Sequence, residues 1–256
     1  MCPGARANMG LGNRAGVGLF RVMFAKLESG LCRLGGRGRL YLTLLALWGW
    51  VLSAGADQLA PLEIKLPAPT FIGTPSDSPG ATNVDKPLGK PRPPFLAPVG
   101  VANVALGKKV TSGDTNAIPA NLAKITDGEK EALENNVVLL RKGPQWVQID
   151  LGSPQEIYAI VVWHAHDRPK VYHGVVVQVA DDADFSRNVR TLFNNDTENK
   201  DGLGAGSDRE YFETHEGKLI DAKGTPARYV RLYSNGSTEA KYNQYTEVEV
   251  YGRAAK

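Results

Sequence analysis

A loop near the middle of the chain carries the side chains best suited to chemistry. The segment Trp163–His173 (WHAHDRPKVYH) holds three histidines, an arginine and a tyrosine. Sugar-binding sites place an aromatic ring against C–H groups of the sugar and use polar side chains to bond its hydroxyls. The segment therefore predicts a ligand-binding loop, whose candidate residues are His164, His166, Arg168, Tyr172 and His173.

The same side chains permit two other interpretations. In a hairpin, the histidines can simply hydrogen-bond local backbone groups and stabilise the turn. Alternatively, His164 and His166 lie two positions apart, so on a strand their imidazoles share one face. With His173 returning opposite them, the three rings would form an open zinc or copper site.

A second unusual loop, residues 194–206 (NNDTENKDGLGAG), is acidic and rich in glycine. It is not a phosphate-binding loop, because no Lys-Ser/Thr pair follows and no strand-loop-helix pattern surrounds it. It also lacks the glycine and the glutamate that an EF-hand loop requires. Loops of this length are commonly functional, so we expect the insertion to have a role near the binding end of the domain.

No set of nucleophile, base and orienting residue emerges from the sequence. The chain has no G-x-S-x-G motif, and Asp181 and Asp182 are adjacent rather than spaced like the acid/base pair of a glycosidase. Both cysteines, Cys2 and Cys32, fall in an N-terminal segment that we expect to be removed. The sequence therefore does not predict an enzyme.

The elements that must position these loops are predicted to be β-strands. Residues 228–234 (RYVRLYS) and 246–251 (TEVEVY) alternate between apolar and polar side chains. Alternation with a period of two residues predicts strands that have one face on a core and the other in water. This places Glu247 and Glu249 on the solvent side. Without a βαβ pattern, we predict an all-β antiparallel sandwich with short helical turns within 118–133. Further strand candidates, rich in β-branched and aromatic residues, are 145–151, 156–164, 174–180, 189–193 and 211–214.

The first 56 residues are predicted to be a secretory signal peptide with a mis-assigned extension, the true start being Met23. Residues 40–54 form an uncharged apolar run between an arginine-rich segment and Ala-Gly-Ala. This run is shorter than the roughly 20 residues of a bilayer span, and an uncleaved anchor is the alternative. We expect a protein that is secreted or held in the periplasm or cell envelope, with no membrane span in the mature chain.

Removal of residues 1–56 changes the charge of the chain. The segment holds seven of the 30 basic residues and one of the 27 acidic residues, which leaves 23 basic and 26 acidic residues. A chain with a net charge near −3 lacks the basic surface that nucleic-acid binding needs. Nucleic acid is therefore not expected as a partner.

Residues 57–99 are predicted to be a proline-rich linker. Ten prolines lie between residues 57 and 98, and each removes a backbone donor and fixes φ. The segment also holds apolar side chains, such as Leu62, Ile64 and Phe95, that do not suit a freely solvated spacer. We expect at least residues 90–98 to pack along the flank of the sandwich.

Six short motifs follow one another over 150 residues of the chain. They are 103–111 (NVALGKKVT), 125–128 (ITDG), 146–152 (WVQIDLG), 177–185 (VQVADDADF), 228–232 (RYVRL) and 247–252 (EVEVYG). In this order they resemble the motifs of F5/8 type C (discoidin) domains. The resemblance implies that residues 100–256 form a galactose-binding-like jelly-roll β-sandwich, usually non-catalytic, that binds glycans or other surfaces through loops at one end.

The resemblance also implies a structural calcium ion as cofactor. Calcium takes about six to eight hard oxygen ligands from carboxylates and carbonyls. Ala132 stands where the family has threonine, so one side-chain ligand is missing. The alternative is that the aspartate merely caps a turn and the glutamate is a solvated strand residue. The ligands carried over are the carbonyls of Lys124, Glu129 and Thr246 and the carboxylates of Asp127 and Glu247.

Three functional hypotheses follow. The first is an exported, non-catalytic module that binds carbohydrate or another cell-surface polymer. The second is a structural or adhesion protein of the cell envelope without a specific sugar site. The third is a metal-dependent enzyme built on the histidines of the loop Trp163–His173.

Overall fold

The computed structural model describes residues 57–71, 83–85 and 89–255, so the predicted signal peptide lies outside the described residues. Within these ranges nearly all regular structure is strand, and no helix is both long and apolar enough to cross a bilayer. The elements are β1 (Leu59–Pro61), β2 (Val84–Asp85), β3 (Leu96–Pro98), β4 (Ala102–Asn103), β5 (Lys109–Ser112), α1 (Pro119–Leu122), a 3-10 helix (Ala123–Thr126), β6 (Val138–Lys142), β7 (Gln145–His164), β8 (Val176–Ala180), β9 (Arg190–Asn194), β10 (Glu210–Tyr211), β11 (Lys218–Ser234) and β12 (Tyr242–Ala254).

Two long strands, β7 and β11, connect the layers of the sandwich. The first part of β7 pairs with β5 and with the last part of β11, which also pairs with β8. The last part of β7 pairs with β12 and with the first part of β11. The strand order is β4-β12-β7-β11-β8-β9, with β5 on β7 and β6 on β12. The predicted all-β, jelly-roll β-sandwich is confirmed.

Both long strands bend, and the sequence analysis misplaced their bounds. The Gly-Ser-Pro sequence at 152–154 was expected to separate two strands, but β7 runs through it, and the β11 register shifts opposite it between Ala227 and Tyr229. Gly152 has φ of +87°, and Arg228 clamps the bend by donating two hydrogen bonds to Asp150 at 2.8 and 2.9 Å. Where a strand was predicted over 211–214, the structure has only the two residues of β10. The strand predicted to start at 228 is longer than expected, because β11 begins ten residues earlier.

The core lies between the layers and follows the predicted alternation. Val230 and Leu232 of β11, and Val248 and Val250 of β12, are at most 1% exposed. Removing such a side chain from water stabilises the fold by about 1.5–3 kcal/mol. Alternating apolar residues on both long strands thus hold the two layers face to face.

The expectation that Glu247 and Glu249 face water is wrong, because the outer face of β12 is covered as well. Glu249 is 5% exposed, accepts a hydrogen bond from Tyr251 Oη at 2.8 Å and pairs with Lys130 Nζ at 2.8 Å. Lys130 in turn lies over the ring of Trp163, 5.5 Å from its centroid. Residue alternation defines two faces of a strand but does not reveal that a second layer covers the outer one.

Part of this cover comes from the proline-rich segment. Strand β1 pairs with β3, and Leu62, Ile64 and Phe95 pack against a cluster that contains Trp163 and Tyr251. Arg92 adds a hydrogen bond from Nη1 to the carbonyl of Gly217 at 2.9 Å. The proline-rich residues on both sides of this ribbon therefore form part of the folded domain's surface.

Candidate functional site

The loop that follows β7 begins with a buried histidine. His164 is 0% exposed, its Nδ1 lies 2.9 Å from Oε2 of the equally buried Glu213, and its ring stacks on Tyr172 at 4.3 Å between centroids. Tyr172 is also 0% exposed, and burial raises its pKa well above the usual value. Its hydroxyl donates to Oε1 of Gln244 at 3.1 Å. His164 and Tyr172 therefore hold the base of the loop and do not reach solvent.

His166 is buried too, on the other side of the loop. Its Nε2 donates to the carbonyl of Lys130 at 2.9 Å, which ties the loop to the segment that follows the 3-10 helix. Of the five candidate ligand-binding residues, only Arg168 and His173 present side chains to water. These two line different pockets. The structure thus does not bring the five side chains into one concavity.

The zinc or copper interpretation of the loop is not supported by this arrangement. In the described part of the chain, no three His, Cys, Asp or Glu side chains lie close enough together to hold a metal ion. His164, His166 and His173 each contact a different partner, respectively Glu213, the Lys130 carbonyl and Glu210. The histidines stabilise the loop, but not through local backbone groups as the structural interpretation expected: two bond the side chains of Glu213 and Glu210, and the third bonds the distant carbonyl of Lys130.

Arg168 lies in a depression of about 420 Å³ at the loop end of the sandwich, which we call the loop-end pocket. Asp167 binds two basic side chains there: its carboxylate accepts a hydrogen bond from Arg168 Nε at 2.9 Å and another from Lys170 Nζ at 2.7 Å. Partial burial opposes ionisation of Asp167, but the bonds from Lys170 and Arg168 outweigh it and lower its pKa. The carboxylate therefore fixes two donors in the lining of the pocket, the exposed Arg168 and the largely buried Lys170.

The opposite wall of the loop-end pocket is partly apolar and was not foreseen from the sequence. Leu139 points outward from β6, between buried Val138 and Leu140, and is 57% exposed. Strand β6 itself was missing from the predicted strands, although its alternation is visible in the sequence. The full lining is Ala132, Glu134, Val137, Leu139, Ala165, Asp167, Arg168, Lys170, Glu239, Ala240 and Gln244.

Residues 124–232 match the family model of F5/8 type C domains that is described as the NedA-like, galactose-binding domain. The resemblance to F5/8 type C domains is confirmed. The matched range includes the histidine-rich loop, the 194–206 insertion and most of β11. A search of curated proteins gave no similar sequence.

Solved structures of similar shape are distant in sequence. A chitosan-binding module of a chitosanase/glucanase from Paenibacillus sp. IK-5 is 22% identical, with 59% of this chain and 99% of that chain covered and a TM-score of 0.41. A fucose-binding module from Streptococcus pneumoniae is 18% identical, covering 59% and 97%, with a TM-score of 0.40. A Clostridium perfringens CBM32 module in complex with GlcNAc-α-1,4-galactose is 15% identical, covering 60% and 96%, with a TM-score of 0.44.

Two of the predicted calcium ligands of the F5/8 type C-like domain, Asp127 and Glu247, come together at one buried carboxylate. Glu247 is 0% exposed, and its Oε1 accepts from the backbone N–H of Gly128 at 3.2 Å, which brings it to the Asp127 turn. Its Oε2 is buried without a hydrogen-bond partner among the described residues. Burial raises the pKa of Glu247 to about 9, and the charges of Glu249 and Asp127 add to the effect. An uncompensated buried carboxylate of this kind suits a bound cation.

The other predicted ligands are the carboxylate of Asp127 and the backbone carbonyls of Lys124, Glu129 and Thr246. Asp127 Oδ1 accepts from the N–H of Glu129 at 2.9 Å, so the carboxylate also caps its own turn. Thr246 is fully buried beside Glu247 on β12, and the Lys124 amine bonds the carbonyl of Asn135. Two carboxylates and backbone carbonyls are the kind of oxygen ligands that calcium takes, and the calcium site stays a prediction.

Proposed function

We propose that this domain is a non-catalytic carbohydrate-binding module that holds a sugar in the loop-end pocket. The observation that carries the proposal is the chemistry of this pocket, whose lining combines fixed hydrogen-bond donors with an exposed apolar side chain. The match of residues 124–232 to a galactose-binding family model supports it. A pocket of about 420 Å³ lies within the size range of small-ligand sites.

Each wall of the loop-end pocket suits one part of a sugar. The Arg168 guanidinium and the Lys170 amine, both held by Asp167, donate to hydroxyl or ring oxygens. Gln244 and the pocket's carboxylates accept from sugar hydroxyls. Leu139 offers an exposed apolar surface to the ring C–H groups. A shallow site of this kind gives weak binding, because few sugar atoms leave water and several polar groups must be re-paired.

We further propose that the module acts outside the cytoplasm and that its ligand is a glycan of a cell surface or extracellular polymer. The apolar run at 40–54, with its arginine-rich flank and Ala-Gly-Ala ending, supports export. A calcium ion held by Asp127 and Glu247 would compensate the buried carboxylate and stabilise the scaffold beneath the loops.

A structural or adhesion role is the second candidate function. Leu59, Leu66, Leu96 and Val99 are between 45% and 58% exposed on the proline-rich side of the domain. Clustered exposed apolar residues favour contact with another protein surface. This role predicts binding that does not depend on the loop-end pocket.

A glycan array with matched variants tests the proposal. The full chain should bind a subset of glycans, and Arg168→Ala should abolish that binding. Arg187→Ala is the matched control, because Arg187 is similarly exposed (72% against 65%) but lies in the turn between β8 and β9. Equal loss of binding in both variants, or no glycan bound by the intact protein, would contradict the proposal.

A further inference from the structure

The 194–206 insertion forms a second pocket, which we call the insertion pocket. It has a volume of about 280 Å³ and is lined almost entirely by polar side chains. None of its residues lines the loop-end pocket. The lining residues are Asn83, His173, Gly174, Asn195, Asp196, Thr197, Glu198, Lys200, Asp201, Glu210 and Asn235.

Two polar atoms in this lining are buried without a hydrogen-bond partner among the described residues: Nδ2 of Asn195 and Oδ2 of Asp201. Asn195 is only 4% exposed, and its Oδ1 accepts from the N–H of Val175 at 2.7 Å, which fixes the amide. Asp201 Oδ1 accepts from Asn235 Nδ2 at 3.1 Å. An unpaired buried polar atom is energetically costly. A ligand with one hydrogen-bond acceptor and one donor would therefore satisfy both atoms.

The charges around the insertion pocket select the kind of ligand. Glu198 pairs with Lys200 at 2.9 Å, and Glu210 pairs with His173 at 2.6 Å. Asp196 forms no ion pair within the described part of the chain, although Lys200 attracts it; its carboxylate accepts from the N–H groups of Lys200 and Asp201 at 3.0 and 2.8 Å. Asp196 and Asp201 therefore have only the nearby charge of Lys200 to balance them, and Asp201 has a buried oxygen without a hydrogen-bond partner among the described residues.

The position of Asp201 is fixed by the backbone as well as by Asn235. Gly174 has φ of +58°, and a Cβ there would lie 2.5 Å from Asp201 Oδ2. Burial and the neighbouring charge of Asp196 raise the pKa of Asp201. A cationic hydrogen-bond donor next to Asp201 would offset both effects and stabilise the ionised carboxylate.

We propose that the insertion pocket binds a protonated amino sugar, with its ammonium group on Asp201 and a hydroxyl or ring oxygen accepting from Asn195 Nδ2. A metal ion fits less well, since it cannot accept a hydrogen bond from the unpaired Nδ2 of Asn195. A neutral sugar would leave the excess negative charge uncompensated. This site is separate from the loop-end pocket and does not depend on the proposed function of that pocket.

Isothermal titration of the full chain with a β-1,4-linked glucosamine tetramer tests the proposal. The glucosamine tetramer should bind about tenfold or more tightly than the fully N-acetylated tetramer, because acetylation removes the charge. Asp201→Asn should remove most of this preference. Asp184→Asn, the same change in the exposed turn at the far end of the β8–β9 hairpin, should leave it intact. Loss of the preference in both variants would refute the assignment.

Two measurements on the unmodified protein keep the test independent of how Asp201→Asn folds. The backbone NMR signals of residues 195–201 and Gly174 should shift on titration with the glucosamine tetramer. Spermidine, a cation without hydroxyls, should shift them much less. Shifts confined to the loop-end pocket, or an equal response to spermidine, would overturn the amino-sugar site. Neither result would affect the loop-end proposal, which Arg168→Ala tests.

Discussion

Truncation of Tyr172 distinguishes a structural role of the histidine-rich loop from a ligand-contacting one. Tyr172 is 0% exposed, its ring stacks on His164 at 4.3 Å, and its hydroxyl donates to Gln244 at 3.1 Å. Replacing a buried aromatic side chain by alanine removes its apolar contacts and leaves a cavity, which costs about 3–5 kcal/mol. Tyr172→Phe removes only the hydroxyl bonds and should cost about 1 kcal/mol.

Urea unfolding followed by tryptophan fluorescence measures both losses. The account predicts that the free energy of unfolding falls in the order wild type, Tyr172→Phe, Tyr172→Ala, with an unchanged m-value. Arg168→Ala, whose side chain is 65% exposed, should leave unfolding nearly unchanged while removing sugar binding. A Tyr172→Ala protein with wild-type stability that no longer binds sugar would refute the structural assignment.

The remaining predictions concern the calcium site, the strand bend and a close backbone contact. Calcium at a hundredfold excess over its Kd should stabilise the protein by about 2.7 kcal/mol in thermal unfolding, and Glu247→Gln should abolish that effect; a calcium response that survives the substitution contradicts the ligand set. The hydrogen bond from Arg228, opposed by partial burial, lowers the pKa of Asp150, so its stabilising effect is complete above the usual carboxyl pKa and is lost as the pH falls through the lowered value; Asp150→Asn should weaken this acid dependence, and identical pH profiles would refute it. Gly217 has φ of +64°, and a Cβ there would lie 2.7 Å from the Trp163 indole; Gly217→Ala should therefore lower the midpoint of urea unfolding, and an unchanged midpoint would contradict the packing.

Much of the fold could be predicted from the sequence because period-two alternation is a local signal. Residues 228–234 and 246–251 are strands with buried valines and leucine, as their pattern indicates. The six motifs predicted a resemblance to F5/8 type C domains, since their order over 150 residues is specific, and the family model matches residues 124–232. The strand bend at 152–154 was missed because a Gly-Ser-Pro sequence suits a turn as well as a corner within one strand.

The candidate sites were less predictable, because burial depends on distant parts of the chain. The histidines of the 163–173 loop suggested a surface site, but Glu213, from the loop between β10 and β11, and Tyr245 of β12 enclose His164. The exposed wall of the loop-end pocket comes from Leu139, on a strand that the sequence analysis did not assign. Sequence composition located the two candidate loops, whereas the choice of side chains that reach solvent is a property of the packed sandwich.

Heteronuclear NMR of the full chain, titrated with galactose and with the glycans found on the array, tests the central claim most directly. The account predicts saturable shifts of Arg168, Leu139 and Gln244, with little change in the turn between β8 and β9. If no carbohydrate shifts these residues, or if the shifts fall on the proline-rich side around Leu59 and Leu96, the loop-end pocket is not a sugar site.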